Sequence, residues 1–296
     1  MTLPPERDAR LLGFACGLLA TFMLAEVVVA LFASSLVLLA DAGHMLTDTL
    51  ALVMAIVALR LAQRPPRDRW TFGLARAEVL SAAVNAVTLL VVSAVVLVEA
   101  VRRLVHPSEV SGWSLVVVAA VGLVVNLVAT LILARADRRS LNIAGAFAHV
   151  MTDAAAFAAT LIAGIIVLVT GWHRVDPIAA LVVVVLMVTA AVGLLRESGK
   201  VLLEAAPEQV DIDQLRSHLL STDHVVAVHD LHVWTSGSRL PTASAHVVVS
   251  DTAFADGRAP QILDELQACL AGHFDVEHST FQLEPLGHAS HEAGAH

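Results

Sequence analysis

The feature that most constrains this chain is a series of six apolar segments, each of the roughly 20 residues that a helix needs to cross a bilayer. The segments are Leu11–Ala33, Leu36–Ala62, Ala77–Val105, Trp113–Ala134, Ala144–Gly171 and Pro177–Leu195. No Ala-x-Ala cleavage signal lies near the end of the first segment, so we interpret it as a retained span and not as a signal peptide. The sequence therefore predicts an all-α membrane domain of six transmembrane helices over residues 11–200, after a short N-terminus of residues 1–10.

The composition changes beyond this region. The whole chain is only 15% charged, whereas soluble globular proteins are about 25% charged, but the stretch 207–286 has an ordinary soluble composition. Its pattern predicts a helix, two strands, a second helix and a third strand, over Asp211–Leu220, Val225–Trp234, Thr242–Ser250, Pro260–Phe274 and Ser279–Glu284. This order indicates a small α+β domain built as an open-faced sandwich. The His-containing tail, residues 287–296, is predicted to be disordered.

The distribution of Lys and Arg among the short loops predicts the orientation. The richer side, with residues such as Arg64, Arg67 and Arg138, should face the cytoplasm, whereas the other side holds only Arg102, Arg103 and Arg174. Both termini and the α+β domain are then cytoplasmic, and we expect the membrane to be a bacterial inner (plasma) membrane. The net charge of -9 argues against nucleic-acid binding.

Two apolar segments contain ionisable residues, which are costly inside a bilayer and need a reason. His44 and Asp48 lie in the second segment, and His149 and Asp153 lie in the fifth. Residues four apart share a helix face, so the two faces together offer two nitrogens and two oxygens, a tetrahedral set that suits zinc. The alternatives are that each pair satisfies itself by a His–Asp hydrogen bond or lines a proton path. The identical spacing of the two pairs favours a metal site.

The ligand types bear on the choice of ion. The set contains no thiolate, which disfavours copper(I), and two imidazoles disfavour magnesium and calcium. Zn²⁺ leads, and Co²⁺, Cd²⁺, Fe²⁺ and Mn²⁺ remain open. Asp41, three residues before His44, is either a hydrogen-bonding partner of His44, a proton carrier or a carboxylate near water at a helix end. Asn85 and Asn126 lie at membrane depth and are predicted to form interhelical hydrogen bonds.

At these residues the chain resembles the cation diffusion facilitator family, in its zinc-transporting branch. The resemblance lies in the stretches Leu38–Asp48, Thr71–Gly73 with Arg76–Glu78, Ser140–Asp153 and His229–Trp234. It implies six spanning helices, a cytoplasmic domain with a metallochaperone-like (ferredoxin-like) fold, a homodimer, and exchange of a cytoplasmic divalent cation for protons.

Carried over to this chain, the resemblance implies a transport site of His44, Asp48, His149 and Asp153. It also implies a regulatory metal site near the dimer interface. The residues of that cytoplasmic site would be His229, His246 and Glu284, with His232 and His278 as further candidates. From the residues alone, His229 and His246 could equally be ordinary surface residues.

The chain departs from the family pattern in two loops. Many relatives carry a His-rich loop between the fourth and fifth spans, but here it is only Arg135–Ser140 and contains no His. Some relatives bind metal between the second and third spans, where this chain has Trp70 and Leu74 at the matching His positions. We therefore predict no metal site there and interpret Asp68 as a solvated loop charge.

The sequence thus predicts a secondary active transporter that exports zinc or a similar divalent cation in exchange for protons by alternating access. One alternative is a non-transporting membrane sensor that binds metal only in the cytoplasmic domain. The other is a membrane-embedded metallohydrolase, which needs an open coordination position and a general base beside the metal. No H-E-x-x-H motif is present, and four ligands leave no open position, so we predict that the protein is not an enzyme.

Overall fold

The computed structural model describes residues 5–32, 36–106, 112–237, 241–276 and 278–288. Within these ranges the side chains of residues 5, 6, 26, 29–32, 36–44, 47 and 114 lie outside the described part. The chain divides into two compact units, Met1–Gly199 and Lys200–His296.

The first unit is built from long helices. They are α1 (Pro5–Phe32), α2 (Leu36–Ala62), α3 (Ala77–Val105), α4 (Gly112–Leu133), α5 (Leu141–Thr170) and α6 (Val175–Leu202). In the part of the chain that the structure describes, five segments are long and apolar enough to cross a membrane: Arg7–Ala25, Ala77–Val105, Leu115–Leu133, Leu141–Thr170 and Val175–Leu202. The predicted helical membrane domain is confirmed. α2, which carries Asp48, is not among these five segments.

The predicted segments locate the helices, but several of the predicted ends are wrong. α2 and α3 coincide with the prediction, whereas α5 begins at Leu141 instead of Ala144. Ser140 caps it, because its backbone is extended and its hydroxyl accepts a hydrogen bond from the amide of Ile143 at 3.4 Å. α6 continues past Leu195 to Leu202. Hydropathy detects only the apolar length of a helix, so polar turns at the ends of a span escape it.

Helices α1, α2, α4 and α5 pack around one apolar cluster. Its buried members include Leu12, Leu19, Leu52, Leu59, Leu133, Ile143 and Val150. α4 and α5 pack closely at Gly122, where a Cβ atom would lie 2.4 Å from the ring of Phe157. Only glycine fits at that position without displacing the ring. A separate cluster around Leu89, Val183 and Met187 joins α3 and α6.

The second unit holds a three-stranded sheet and three helices among its described residues. The elements are α7 (Ile212–Leu220), β1 (Val225–Thr235), β2 (Pro241–Val249), α8 (Asp251–Ala255), α9 (Ala259–Phe274) and β3 (His278–Glu284). β2 is central, antiparallel to β1 and parallel to β3. Leu215, Leu219, Leu266 and Leu270 are fully buried and belong to one core that also includes strand residues such as Val247. The predicted small α+β domain is confirmed, and the short α8 is an addition.

Candidate metal sites

The first candidate site lies between α2 and α5 and is formed by two carboxylates around one imidazole. Nε2 of His149 is 2.9 Å from Oδ1 of Asp48 and 3.7 Å from Oδ2 of Asp153. His149, Asp48 and Asp153 are only 3%, 5% and 9% exposed. One ligand atom from each residue lies within 4.8 Å of the others. The structure therefore brings together three of the four residues predicted for the transport site.

Hydrogen bonds from nearby asparagines to backbone carbonyls join the helices in this arrangement. The amide nitrogen of Asn142 on α5 donates to the carbonyl of Ala55 on α2 at 2.7 Å. Asn85 on α3 donates to the carbonyl of Gly145 on α5 at 3.2 Å. Each bond involves a residue within two helical turns of Asp48 or of His149. The two bonds therefore fix the positions at which α2 and α3 contact α5.

The separations are compatible both with a hydrogen-bonded triad and with a metal site. Tetrahedral ligands about 2.0–2.2 Å from zinc lie roughly 3.4 Å from one another, and 2.9 Å and 3.7 Å fall on either side of that spacing. The 2.9 Å contact is also of hydrogen-bond length. The same pair of atoms can thus be bridged by a hydrogen or, after a small shift, by a cation.

The fourth predicted ligand is outside the described side chains. His44 belongs to α2, one turn before Asp48, but the side chains of His44 and of Asp41 lie outside the part that the structure describes. The roles of both residues remain predictions.

Other polar residues at membrane depth have identifiable partners. The interhelical hydrogen bond predicted for Asn85 is confirmed, but the prediction for Asn126 is wrong, because its amide donates to Gly122 within α4 at 3.1 Å. Glu78, at the start of α3, is a buried acceptor that sequence reasoning missed: the hydroxyl of Ser140 donates to it at 2.6 Å. Glu78 therefore ties the start of α3 to the start of α5.

The second candidate site lies on the sheet of the C-terminal unit. His229 on β1 is paired in register with His246 on β2, and the ring centroids are 5.1 Å apart. Glu284, 1% exposed at the end of β3, contacts both rings. Its Oε2 is 3.1 Å from Nε2 of His229 and its Oε1 is 2.8 Å from Nδ1 of His246. The structure therefore brings the three main predicted residues of the cytoplasmic site into one cluster.

Glu284 is held as a carboxylate by its partners. Burial raises the pKa of this carboxyl, but hydrogen bonds from His229 and Gln282 and the charges of His246 and His229 outweigh burial and hold the pKa below its ordinary value of 4.5. A deprotonated carboxylate is the form that binds a metal ion.

Asp230 is a further candidate ligand that sequence reasoning missed. Its ligand atom lies within 4.8 Å of those of His229 and His246. A register shift between His229 and His232 and a φ of 45° at Asp230 turn this residue out of regular strand geometry. An alternating pattern would place Asp230 on the opposite face from His229, so a bulge is needed to bring them together.

The two further candidates lie elsewhere on the sheet. His232 is exposed and pairs with Ser244, and His278 is exposed and pairs with Thr242 at the opposite end of β2 from Val248, the partner of Glu284. Neither belongs to the groups of potential ligands found among the described residues. In the loop after α2, Asp68 forms an exposed ion pair with Arg67 at 3.3 Å.

Comparison with known protein families covers nearly the whole chain. Residues 13–203 match the model of the cation efflux transmembrane domain, and residues 207–286 match that of the cation efflux protein cytoplasmic domain. The chain belongs to the cation diffusion facilitator family. Family membership confirms the prediction of a membrane cation transporter and not an enzyme.

Individual relatives of this cation diffusion facilitator are bacterial transporters. The zinc transporter ZitB of Escherichia coli (strain K12) is 38% identical over 284 residues, which cover 95% of this chain and 89% of that protein. A cadmium, cobalt and zinc/H(+)-K(+) antiporter of Bacillus velezensis is 34% identical over 90% of this chain and 85% of its own length. A solved structure, the metal-bound C-terminal domain of the CzcD transporter from Cupriavidus metallidurans, is 35% identical, covers 25% of this chain and 99% of that chain, and has a TM-score of 0.24.

Proposed function

We propose that this cation diffusion facilitator exports Zn²⁺, or a similar divalent cation, from the cytoplasm in exchange for protons, and that Asp48, His149 and Asp153 bind the transported ion together with His44. The observation that carries this proposal is the buried cluster in which one imidazole nitrogen faces two carboxylates. The relatives described as a zinc transporter and as a cadmium, cobalt and zinc/H(+)-K(+) antiporter support a divalent cation of this kind and proton coupling.

The exchange follows from competition for the same atoms. Without the cation, a hydrogen bond joins Nε2 of His149 and Oδ1 of Asp48 at 2.9 Å. Binding of the cation requires that nitrogen and the carboxylates to be deprotonated, so uptake releases protons. An imidazole titrates near neutral pH when unperturbed. After the helices rock to expose the site outward, protons from that side displace the cation and the protonated site returns.

The donor atoms of the site favour zinc or an ion with similar ligand preferences. Two imidazoles with two carboxylates suit Zn²⁺, Co²⁺ and Cd²⁺ better than Mg²⁺ or Ca²⁺, which prefer all-oxygen sites. Fe²⁺ and Mn²⁺ are the remaining candidates.

The membrane arrangement we propose has six spans, with α2 as the span beyond the five that length and apolarity identify. Residues 11–200 form the membrane domain of a bacterial inner-membrane protein, and residues 1–10, the domain 207–286 and the tail 287–296 lie in the cytoplasm. The boundary between the compact units, after Gly199, and the limits of the family matches support this division.

We propose that the cytoplasmic domain carries a regulatory metal site and that the protein is a homodimer. Glu284 contacts both His229 and His246, and the ligand atoms of Asp230 and the two histidines lie within 4.8 Å of one another. Binding of a cation at this cluster would draw two cytoplasmic domains together and favour the transport-competent dimer. His232 and His278 are not needed for this cluster.

The test is zinc uptake into proteoliposomes under an imposed proton gradient, with a pH-sensitive dye in the lumen. The Asp48→Asn and His149→Ala variants should each lose nearly all zinc flux and the linked pH change. The Asn126→Ala variant serves as a control, because it loses a buried amide in α4 outside the site. Zinc flux at the wild-type rate in either site variant would refute the assignment of the transport site.

A further inference from the structure

Asn85, on α3, has a buried side chain and is 6% exposed. Its amide group has two ends. The nitrogen, Nδ2, donates to the carbonyl of Gly145 at 3.2 Å, and a carbonyl partner requires the NH₂ end of the amide. The oxygen, Oδ1, is buried and has no hydrogen-bond partner among the described residues. The bond to Gly145 thus fixes the amide and leaves an acceptor unused.

A second unused polar atom lies on the membrane site itself. Nε2 of His149 faces Asp48 and Asp153, but the other ring nitrogen, Nδ1, is buried without a partner in the part of the chain that is described. The ring is 3% exposed, so bulk water does not compensate for the missing bond.

Asn85 and His149 line the same small cavity. Its volume is about 10 Å³, close to the space that a single water molecule needs. Ser81 and Asn142 are the other polar residues of its wall, and the rest of the wall is apolar. Asn85 Oδ1 can only accept a hydrogen bond and an Nδ1–H group can only donate one, so the two unused atoms are complementary.

Cation binding gives Nδ1 a hydrogen to donate. When Nε2 binds the ion through its lone pair, a neutral imidazole carries its hydrogen on Nδ1. Histidines that bind metals almost always donate this N–H to a carboxylate, a backbone carbonyl or a water, and the partner fixes the tautomer and the ring orientation. Among the acceptors that line the cavity, Oδ1 of Asn85 is the one that is buried without a hydrogen-bond partner in the described structure.

We infer that Asn85 is a positioning residue of the transport site: its Oδ1 accepts, through one water in this cavity, the hydrogen bond from Nδ1–H of cation-loaded His149. This inference rests on the proposed role of His149 as a ligand. It makes α3 a third helix of the site, beside α2 and α5.

The first experiment separates the acceptor of Asn85 from its donor. Zinc transport by the full-length protein is measured in proteoliposomes, with KM and kcat determined for the wild type, Asn85→Ala and Asn85→Asp. Loss of a hydrogen-bonding partner behind a metal ligand typically weakens metal affinity about 10–100-fold, so Asn85→Ala should raise the KM for zinc by about that factor with little change in kcat. Asn85→Asp keeps an oxygen at the Oδ1 position and should have a KM close to or below the wild-type value.

Two controls identify what has failed if the result differs. Asn126→Ala removes a buried amide that also donates to a glycine carbonyl, but outside the cavity, and it should leave the KM unchanged. Equal KM increases in Asn85→Ala and Asn85→Asp would mean that only the bond to Gly145 matters, which overturns the inference. A wild-type KM in Asn85→Ala, beside lost transport in His149→Ala, overturns it as well. Wild-type transport in His149→Ala would refute the site itself.

A second measurement does not depend on the folding of any Asn85 variant. In ¹⁵N-histidine-labelled wild-type protein loaded with zinc, long-range ¹H–¹⁵N spectra report which ring nitrogen carries the hydrogen, and comparison with His149→Ala assigns the signal. We expect the hydrogen of His149 on Nδ1. A hydrogen on Nε2 in the zinc-loaded protein would contradict the inferred bond.

Discussion

At the scale of single residues, both candidate sites combine imidazoles with carboxylates. In the membrane, one described imidazole, that of His149, lies between two carboxylates, whereas in the cytoplasmic domain one carboxylate, that of Glu284, lies between two imidazoles. The carboxylates of the membrane site suit release as well as binding, because each oxygen that takes up a proton binds the ion less tightly.

The buried carboxyl of Glu284 predicts a pH dependence of stability. Its pKa is lowered in the folded domain, so the folded state binds this proton less readily than the unfolded state does. The stabilisation is complete above the ordinary glutamate pKa of 4.5 and is lost as the pH falls through the lower native value. In the metal-free segment 207–286, urea unfolding should show that the free energy of unfolding falls below about pH 4.5. In Glu284→Gln this fall should be smaller than in the wild type.

Glu265→Gln is the matched control for this prediction, because Glu265 is an exposed carboxylate on α9. It should keep the wild-type dependence of the unfolding free energy on pH. If Glu284→Gln and the wild type lose stability in parallel below pH 4.5, the buried carboxylate is not the cause.

The geometry of the cluster also predicts which histidines bind zinc. His229 and His246 contact Glu284, whereas His232 is exposed and outside the group. Zinc binding to segment 207–286 can be measured by isothermal titration calorimetry. Loss of a hydrogen-bonding partner behind a metal ligand weakens affinity roughly 10–100-fold, and the loss of a ligand itself in His229→Ala or His246→Ala should weaken it more. His232→Ala should bind zinc like the wild type. A large loss of affinity in His232→Ala would require a different ligand set.

At the scale of helices and strands, sequence predicts what depends on local composition. The spans α2 and α3 have the predicted ends because apolar runs define them, and the His-x-x-x-Asp spacing places His149 and Asp153 on one helix face. The role of Asn85 depends on how closely α3 approaches α5. The proximity of Asp230 to His229 depends on a bulge. Both features depend on how separate parts of the chain pack or pair. A local pattern in a single sequence therefore does not predict them.

The close approach of α4 and α5 at Gly122 predicts a packing defect on substitution. In Gly122→Ala the added Cβ would lie 2.4 Å from Phe157, so the ring or the helices must move, at a cost of about 1–3 kcal/mol. Thermal unfolding in detergent should show a Tm lower by roughly 2–4 °C for each kcal/mol lost.

Gly193→Ala, on α6, is the control for this packing defect. Apart from its chain neighbours and the nearby backbone of α6, no atom of the described chain lies within 4 Å of a Cβ built at Gly193. Replacing a helical glycine by alanine in open space removes a cost of about 0.5–1 kcal/mol, so the Tm should stay the same or rise. Equal Tm values for Gly122→Ala and the wild type would show that the two helices do not pack as closely as the structure has them.

At the scale of the whole molecule, the two units have separate cores and separate candidate sites. Buried leucines belong to the core of the C-terminal unit, and the apolar cluster of α1, α2, α4 and α5 includes residues of the two helices that carry the membrane site. Each site can therefore be disabled without removing a ligand of the other. This separation allows regulation and transport to be tested independently in the full-length protein.

Regulation by the cytoplasmic domain predicts a variant that still transports, but slowly. Glu284→Gln removes the carboxylate shared by His229 and His246 and leaves the membrane ligands in place. If zinc bound at the cytoplasmic cluster favours the active dimer, Glu284→Gln should lose the coupling between this cluster and transport. Typical couplings between sites predict a zinc flux lower by about 5-fold or more, with the KM of the membrane site unchanged. His232→Ala should transport at the wild-type rate, and Asp48→Asn should not transport. Flux by Glu284→Gln equal to that of His232→Ala in proteoliposomes would show that the cytoplasmic cluster does not control transport.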